Sequence, residues 1–257
     1  MFCKQLLGVQ KQTTNIGVLL ELGRIPLQNF ATKAAIKDWE RIEGGKINKI
    51  LENSHARAKI DKLPWITQIK SILKTNDLEN IHTEQSKRRK HPFIHKLLHT
   101  KQCEAYHQNA FNTINDPEGK LRTYALFKTE EGCEKYLHEI KNTTVRQSFT
   151  KYRLSNHVLN IEKGRHMSPK TPKEQRFCPF CPDKVEDEIH FLLECPTYEI
   201  SRNELMNNID TPLLPSLSIQ DKFKEIMSPK NAQFVAKTVY VIFEIRNFLL
   251  RKPRRPV

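Results

Sequence analysis

The stretch RFCPFCPDKVEDEIHFLLECPTYEISRNEL, residues 176–205, decides how the rest of this chain is interpreted. It holds three of the six cysteines, Cys178, Cys181 and Cys195, and adds His190 in the spacing C-x2-C-x8-H-x4-C. Thiolates and an imidazole at such spacing are typical of zinc sites. Four protein ligands leave no open position for a water, so the pattern predicts a structural zinc ion rather than a catalytic one.

The local geometry of this segment raises one difficulty. The residues around His190 indicate a helix, and residues five apart on an α-helix point about 140° away from each other. His190 and Cys195 therefore cannot both face one ion from an unbroken α-helix. Because a proline disfavours helical geometry at the residue before it, Pro196 leads us to expect that the helix opens at Cys195.

Two other interpretations of the cysteine cluster stay open from the sequence. The cysteines can be small apolar core residues, with His190 capping an amphipathic face, although the three prolines beside them favour rigid turns. They can also form disulfides, but the chain begins with too short an apolar run for a secretory signal. Thiols in reducing compartments bind metal more often than they oxidise. The remaining cysteines, Cys3, Cys103 and Cys133, are expected to be reduced and unliganded.

Composition indicates a folded protein with a polyanionic partner. The chain has 257 residues, of which 38% are hydrophobic, enough for one large domain or two small ones. Glycine is scarce, at 8 residues, which disfavours an all-β design with many turns. The formal net charge of +14 favours a negatively charged partner such as nucleic acid. No apolar run is long enough to span a membrane, so no membrane partner is expected.

The expected fold class is mainly α, an irregular helical assembly with a small zinc-stabilised CCHC segment. Most of the chain shows helical periodicity, whereas residues 120–129 can form a short strand or an extended arm. A helix is predicted over residues 131–140. Four regions are predicted: 1–75, an N-terminal helical region; 76–119, a basic linker and helix; 120–209, a basic helix with the CCHC segment; and 210–257, a C-terminal helix with a basic tail.

A basic helix is predicted over residues 145–163, capped by Thr143 or Thr144 and ended by Gly164. One side of this helix is apolar and the other is cationic, so it can contact phosphates, although a solvated surface remains the alternative. Tyr152 and Phe180 are candidates for stacking on unpaired bases. The KRRK run at residues 87–90 is a weak phosphate-contact or nuclear-targeting signal. The predicted nucleic-acid contacts are Arg146, Lys151, Tyr152, Arg153, His157, Lys163, Arg165 and Arg176.

These residues resemble a known family. The run TYALFKTEEGCEKYL…VRQSFTKYRLSNHVLNIEKGRH…RFCPFCPDKVEDEIHFLLECPTY, within residues 123–198, is similar to the carboxyl-terminal region of reverse transcriptases of non-LTR (LINE-type, jockey-like) retrotransposons. The segment LELGRIPL…ATKAAIKDWERI resembles the stretch just upstream in the same polyproteins. The resemblance implies zinc ligation by Cys178, Cys181, His190 and Cys195. It also implies that the region holds template RNA or target DNA beside a polymerase.

The chain departs from that family in what it lacks. Polymerisation requires paired aspartates that hold two metal ions, and the sequence has no Tyr/Phe-x-Asp-Asp motif. No endonuclease set and no RNase H carboxylates are recognisable, so no catalytic residue and no enzymatic activity are predicted.

The expected partners are RNA or single-stranded DNA and the remainder of a retrotransposon polyprotein, with no small-molecule substrate. The expected location is the nucleus or cytoplasm. The alternative function is a structural or protein-interaction zinc module that does not bind nucleic acid.

Overall fold

The computed structural model describes residues 2–43, 48–78, 94–209 and 216–251. Within these ranges the chain is helical, without strands, and its β-type pairing is limited to two isolated bridges, Leu22 with Cys133 and Phe177 with Val185. The predicted mainly α class is confirmed. The α-helices of the described ranges are Phe2–Leu7 (α1), Asn15–Glu21 (α2), Leu27–Glu43 (α3), Lys49–Ile60 (α4), Pro64–Thr75 (α5), Ile94–Ile114 (α6), Tyr124–Phe127 (α7), Tyr136–Glu139 (α8), Thr143–Arg153 (α9), Asn160–Lys163 (α10), Glu199–Asn208 (α11), Ile219–Ile226 (α12) and Ala232–Arg251 (α13).

The chain divides into two compact units. The first unit consists of Met1–Arg24 and Ala110–Val257, and the second consists of Ile25–Asn109. Residues at the amino end therefore fold with the carboxyl-terminal part of the chain. The four regions predicted from the sequence are not tested by this division and stay a prediction.

Local sequence signals fix several helix ends. The Asn48 side chain accepts a hydrogen bond from the Leu51 amide at the start of α4, and Ser218 does the same for Asp221 at the start of α12. Pro64 occupies the first turn of α5, where its missing N–H costs nothing. Gly23 follows α2 with φ +58°, a conformation that favours glycine.

The second unit has a small apolar core and a polar cluster at the end of α3. Its core includes Trp39 and Leu73, each with less than a twentieth of its surface exposed. At Glu43, Lys59 Nζ lies 2.6 Å and His55 Nε2 lies 2.9 Å from the carboxylate. Burial alone raises the pKa of Glu43, but hydrogen bonds from Lys59 and His55 outweigh it and lower that pKa below 4.5.

The first unit is organised around the C-terminal helix α13, which packs against α9 and α11. Val235, Val239 and Ile242 on this helix are fully buried. Each such side chain contributes about 1.5–3 kcal/mol through the hydrophobic effect. The same core contains Phe191 and Tyr198 from the cysteine-rich segment, so this segment belongs to the unit's core rather than to a separate lobe.

Three secondary-structure predictions are wrong in detail. Residues 120–129 form a turn and the short helix α7, neither a strand nor an extended arm. The helix predicted over residues 131–140 is reduced to α8, because Gly132 has φ +112° and Cys133 pairs with Leu22. The basic helix ends as α9 at Arg153, and its cap is Asn142, whose side chain accepts from Thr144 and Val145.

The break after α9 has a specific cause. Ser155 adopts φ +49°, and its hydroxyl donates to Glu188 Oε1 over 3.0 Å. The next residue, Asn156, accepts from the backbone N–H of Gln10 over 3.0 Å. These contacts come from segments distant in sequence, and they redirect the chain before it forms the short helix α10.

Some sequence predictions fall outside the described residues. They concern the KRRK run at residues 87–90 and most of the basic tail at residues 251–255. Among the described helices, none combines the length and the apolar character needed to cross a membrane.

Candidate metal centre

The four predicted ligands converge in the first unit. One ligand atom from each of Cys178, Cys181, His190 and Cys195 lies within 4.8 Å of all the others. Cys195 Sγ is 3.9 Å from Cys178 Sγ and 3.7 Å from Cys181 Sγ. These separations are far longer than a disulfide bond of about 2.05 Å, and all six cysteines are free thiols. The arrangement can therefore hold a metal ion, and the disulfide interpretation is wrong.

A tight hairpin presents the first two cysteines. The Cys178 amide donates a hydrogen bond to the Lys184 carbonyl over 2.7 Å, and the Lys184 amide donates to the Cys181 carbonyl over 3.1 Å. The Phe177–Val185 bridge and a 2.9 Å bond from Glu186 N–H to the Arg176 carbonyl close its base. This pairing aims both thiols to the same side of the turn.

A π-helical turn, His190–Glu194, resolves the spacing of the other two ligands. In this turn the Cys195 amide donates to the His190 carbonyl over 2.8 Å, an i to i+5 bond. Such bonding brings residues five apart onto neighbouring faces, which an α-helix does not. Cys195 itself is extended, with φ −60° and ψ 120°, as expected before Pro196. The predicted opening is confirmed, but the wider turn was not predicted.

His190 is held in place by its own backbone. Its amide donates to Asp187 Oδ1 over 2.8 Å, so Asp187 caps the start of the turn. Burial raises the pKa of the Asp187 carboxyl. Neither ring nitrogen of His190 has a hydrogen-bond partner among the described residues, although Glu194 Oε2 lies 3.4 Å from Nδ1. A buried imidazole with both nitrogens unsatisfied is suited to a metal ligand.

The thiols influence one another strongly. A hydrogen bond from Cys178 lowers the pKa of Cys195 to about 3, against the opposing effect of burial, and the same bond raises the pKa of Cys178. Burial raises the pKa of Cys181. Burial alone lowers the pKa of His190, but its contacts with Cys195 and Glu194 raise it overall. Three thiols in such proximity do not all ionise unless a cation neutralises them.

Two buried carboxylates tie this segment to the rest of the unit. Glu186 receives a bidentate pair from Arg246 on α13, at 2.6 and 2.8 Å, and a 2.7 Å bond from the Asn160 amide. The Glu188 carboxylate accepts a hydrogen bond from Arg122 Nη2 over 2.8 Å, and its other oxygen lies 2.9 Å from His157 Nε2. Burial alone raises the pKa of Glu188, but these partners lower it to about 2. The metal segment is thereby fixed from both sides.

Three of the predicted nucleic-acid contacts are buried and engaged within the protein. Tyr152 is 1% exposed and donates its hydroxyl to the Glu188 carbonyl. Arg153 is 3% exposed and donates to Glu21 and Glu134 at 2.6 and 2.8 Å. The His157 side chain is 1% exposed. The Tyr152 hydroxyl and the Arg153 guanidinium are therefore engaged inside the fold, and His157 Nε2 is held by Glu188.

The other predicted contacts lie nearer to solvent, though several already have partners. Arg146 donates to the Ile140 carbonyl, and Arg176 donates to the carbonyls of Ile161 and Thr171. Arg165 pairs with Glu162 at 3.2 Å. The lysines differ: Lys163 is exposed and Lys151 is half-buried, and neither side chain makes a hydrogen bond or ion pair with another described residue. Phe180 is half-buried against Tyr198, with ring centroids 6.1 Å apart.

A cleft of about 610 Å³ lies beside the metal hairpin. Arg176 and Phe177, which lead into Cys178, form part of its wall. Its other basic residues are Lys120, Lys163 and His166, of which only Lys163 was predicted as a contact. Lys120 and His166, which were not predicted, lie outside the predicted basic helix. The only sequence signal for them is that they are close along the chain to other basic and aromatic residues.

No family model, curated protein or solved structure matches this chain. The resemblance to LINE-type reverse transcriptases therefore stays a prediction.

Proposed function

We propose that the ion is a single structural zinc. Tetrahedral bonds of about 2.3 Å to sulfur place two sulfurs about 3.8 Å apart. The observed sulfur separations of 3.7 and 3.9 Å agree with that value. Three thiolates and one imidazole complete the coordination shell, so the zinc supplies folding free energy rather than catalysis.

This zinc-stabilised module binds single-stranded RNA or DNA and has no catalytic activity of its own. The observation that carries the proposal is the cationic cleft, which shares Arg176 and Phe177 with the metal hairpin. The side chains of Lys120, Lys163 and His166 lie on the same cleft and make no hydrogen bond or ion pair with another described residue. Lysines in this position can neutralise phosphates and release counterions.

The sequence resemblance supports the same function. In that interpretation the chain is the carboxyl-terminal part of a LINE-type reverse transcriptase, and its partner besides nucleic acid is the remainder of the polyprotein. Thiolate ligation fits a reducing compartment, so we place the chain in the nucleus or cytoplasm.

The experiment that tests nucleic-acid binding is a salt titration. Affinity for single-stranded RNA and DNA oligonucleotides is measured by fluorescence anisotropy from low to moderate salt. Each phosphate contact contributes about −0.7 to the slope of log affinity against log salt. We expect a negative slope that Lys163→Gln and Lys120→Gln each reduce by about that amount. A flat dependence on salt would refute the proposal.

One observation favours the alternative, a structural or protein-interaction zinc module. Arg153, Arg122 and Arg246 are all used in internal ion pairs, so part of the net charge stabilises the fold instead of facing a partner. The alternative predicts the flat salt dependence described above, together with the same zinc content. The titration therefore separates the two functions without any further variant.

A further inference from the structure

Two residues that line the cleft, Glu162 and His157, which we call its floor, each contain a buried polar atom without a partner among the described residues. Glu162 is 3% exposed, and its Oε1 faces Arg122 Nη1 at 3.1 Å and Arg165 Nε at 3.2 Å. Its Oε2 has no hydrogen-bond partner among the described residues, and neither does Nδ1 of the buried His157 ring. Both residues line the cleft. Leaving such atoms unsatisfied costs free energy, so they favour a ligand or water that can bind them.

The unpartnered Glu162 Oε2 accepts hydrogen bonds, because a carboxylate oxygen only accepts. His157 Nε2 lies 2.9 Å from Glu188 Oε1, and this contact orients the ring with Nδ1 left unpartnered. Glu162 therefore selects a ligand group that presents an N–H donor.

The remaining lining of the cleft has a different chemistry. Val158, Met167 and Phe177 are exposed to between 42% and 59% and line the cleft with apolar surface. Lys120 and Lys163 add positive charge there without an internal ion pair. A ligand that fits the whole cleft combines a flat ring, N–H donors at one end and an anionic group at the other.

From these features we propose that the cleft holds one unpaired nucleotide of a bound strand, and that it prefers a base with an exocyclic amino group. The amino group donates to Glu162 at the floor, the ring lies against Phe177 and Met167, and the phosphate lies near Lys120 and Lys163. The volume of about 610 Å³ suits a ligand of this size, since such sites span about 300–1,000 Å³. This inference rests on the proposed nucleic-acid binding and adds a base preference to it.

The test compares cytosine with uracil, because uracil has a carbonyl where cytosine has the amino group. Binding of the full chain to oligo(rC) and oligo(rU) of equal length is measured by anisotropy, and binding of CMP and UMP by calorimetry. We expect both comparisons to favour cytosine by about tenfold, the value of one hydrogen bond to a charged group. Glu162→Gln replaces one carboxylate oxygen with an amide NH2 while the remaining oxygen can still pair with Arg122, and it is expected to abolish the preference.

Matched controls keep the test independent of folding. Glu174→Gln changes an exposed acid outside the cleft and is expected to keep the cytosine preference. The wild-type comparison needs no variant, so it stands even if Glu162→Gln unfolds. Equal binding of cytosine and uracil with intact strand binding overturns this inference, as it indicates that water satisfies the floor, and leaves the proposed function in place. A cytosine preference for CMP without strand binding supports the cleft as a nucleotide site and refutes the proposed function.

Discussion

The replacement Arg246→Met tests how the metal segment is anchored to the fold. Arg246 and Glu186 have side chains that are 3% and 1% exposed, and two short hydrogen bonds join them. Without the arginine, the Asn160 amide is the one remaining hydrogen-bond donor to the Glu186 carboxylate among the described residues. Leaving one partner of a buried pair alone costs about 3–5 kcal/mol. That is a large part of a typical domain stability of about 5–15 kcal/mol.

The effect should reach the metal as well as the overall stability. Glu186 pairs through its backbone with Arg176, at the base of the hairpin that carries Cys178 and Cys181. If opening of that hairpin limits metal release, a loss of about 3–5 kcal/mol accelerates release by roughly two to four orders of magnitude. Urea denaturation followed by circular dichroism measures the stability. Transfer of zinc to a chromogenic chelator measures the release.

Two comparisons make the result decisive. Lys237→Met changes an exposed residue of the same helix, whose contact with Glu204 spans 3.8 Å at the surface, and is expected to cost less than about 0.5 kcal/mol. Adding Glu186→Gln to Arg246→Met removes the unpaired charge and is expected to recover part of the loss. If Arg246→Met and Lys237→Met have equal effects on both measurements, the buried anchor does not exist.

Three further predictions concern the metal, the pH dependence and the cations. Cys178→Ser is expected to expose the segment around the metal to proteolysis and hydrogen exchange, whereas Cys3→Ser leaves its protection unchanged; equal protection would contradict structural zinc. The folded pKa of Glu43 lies below the ordinary glutamate value of 4.5, so the stability it contributes is present above that value and is lost as the pH falls through the folded pKa. The stability difference between wild type and Glu43→Gln should therefore shrink from neutral to acidic pH in denaturation curves, and a difference that grows on acidification would refute it. Arg153→Met is expected to lower the melting temperature without changing the salt slope of RNA binding. Lys163→Gln is expected to leave the melting temperature unchanged and to reduce the salt slope. Equal salt slopes for the two variants would contradict the assignment of the cleft.

The metal ligands could be predicted because their information is local. Two cysteines separated by two residues close a turn by themselves, and the third cysteine and the histidine follow within the same segment. Pro196 correctly indicated the extended conformation of Cys195. The π-helical turn could not be predicted, since an added residue per turn becomes favourable only when ligand geometry and packing of Phe191 reward it.

The sequence does not show which basic side chains are buried in internal ion pairs and which face solvent. Arg153 appears on the charged side of an amphipathic helix, yet it is buried by Glu21, which lies 132 residues earlier. Its guanidinium also lies 4.6 Å from the centre of the Phe127 ring. Periodicity reports which residues share a helix face, but it does not report which distant acid will cover that face. The same limit explains the break of the basic helix at Ser155.

The central claim is that one ion bound by three thiolates and one imidazole fixes the segment beside the cleft. The most direct test is elemental analysis of the purified chain combined with X-ray absorption at the zinc edge. The account predicts about one zinc per chain with three sulfur ligands near 2.3 Å and one nitrogen near 2.0 Å. A chain without zinc, in which Cys178 and Cys181 are freely alkylated while the fold persists, would contradict it.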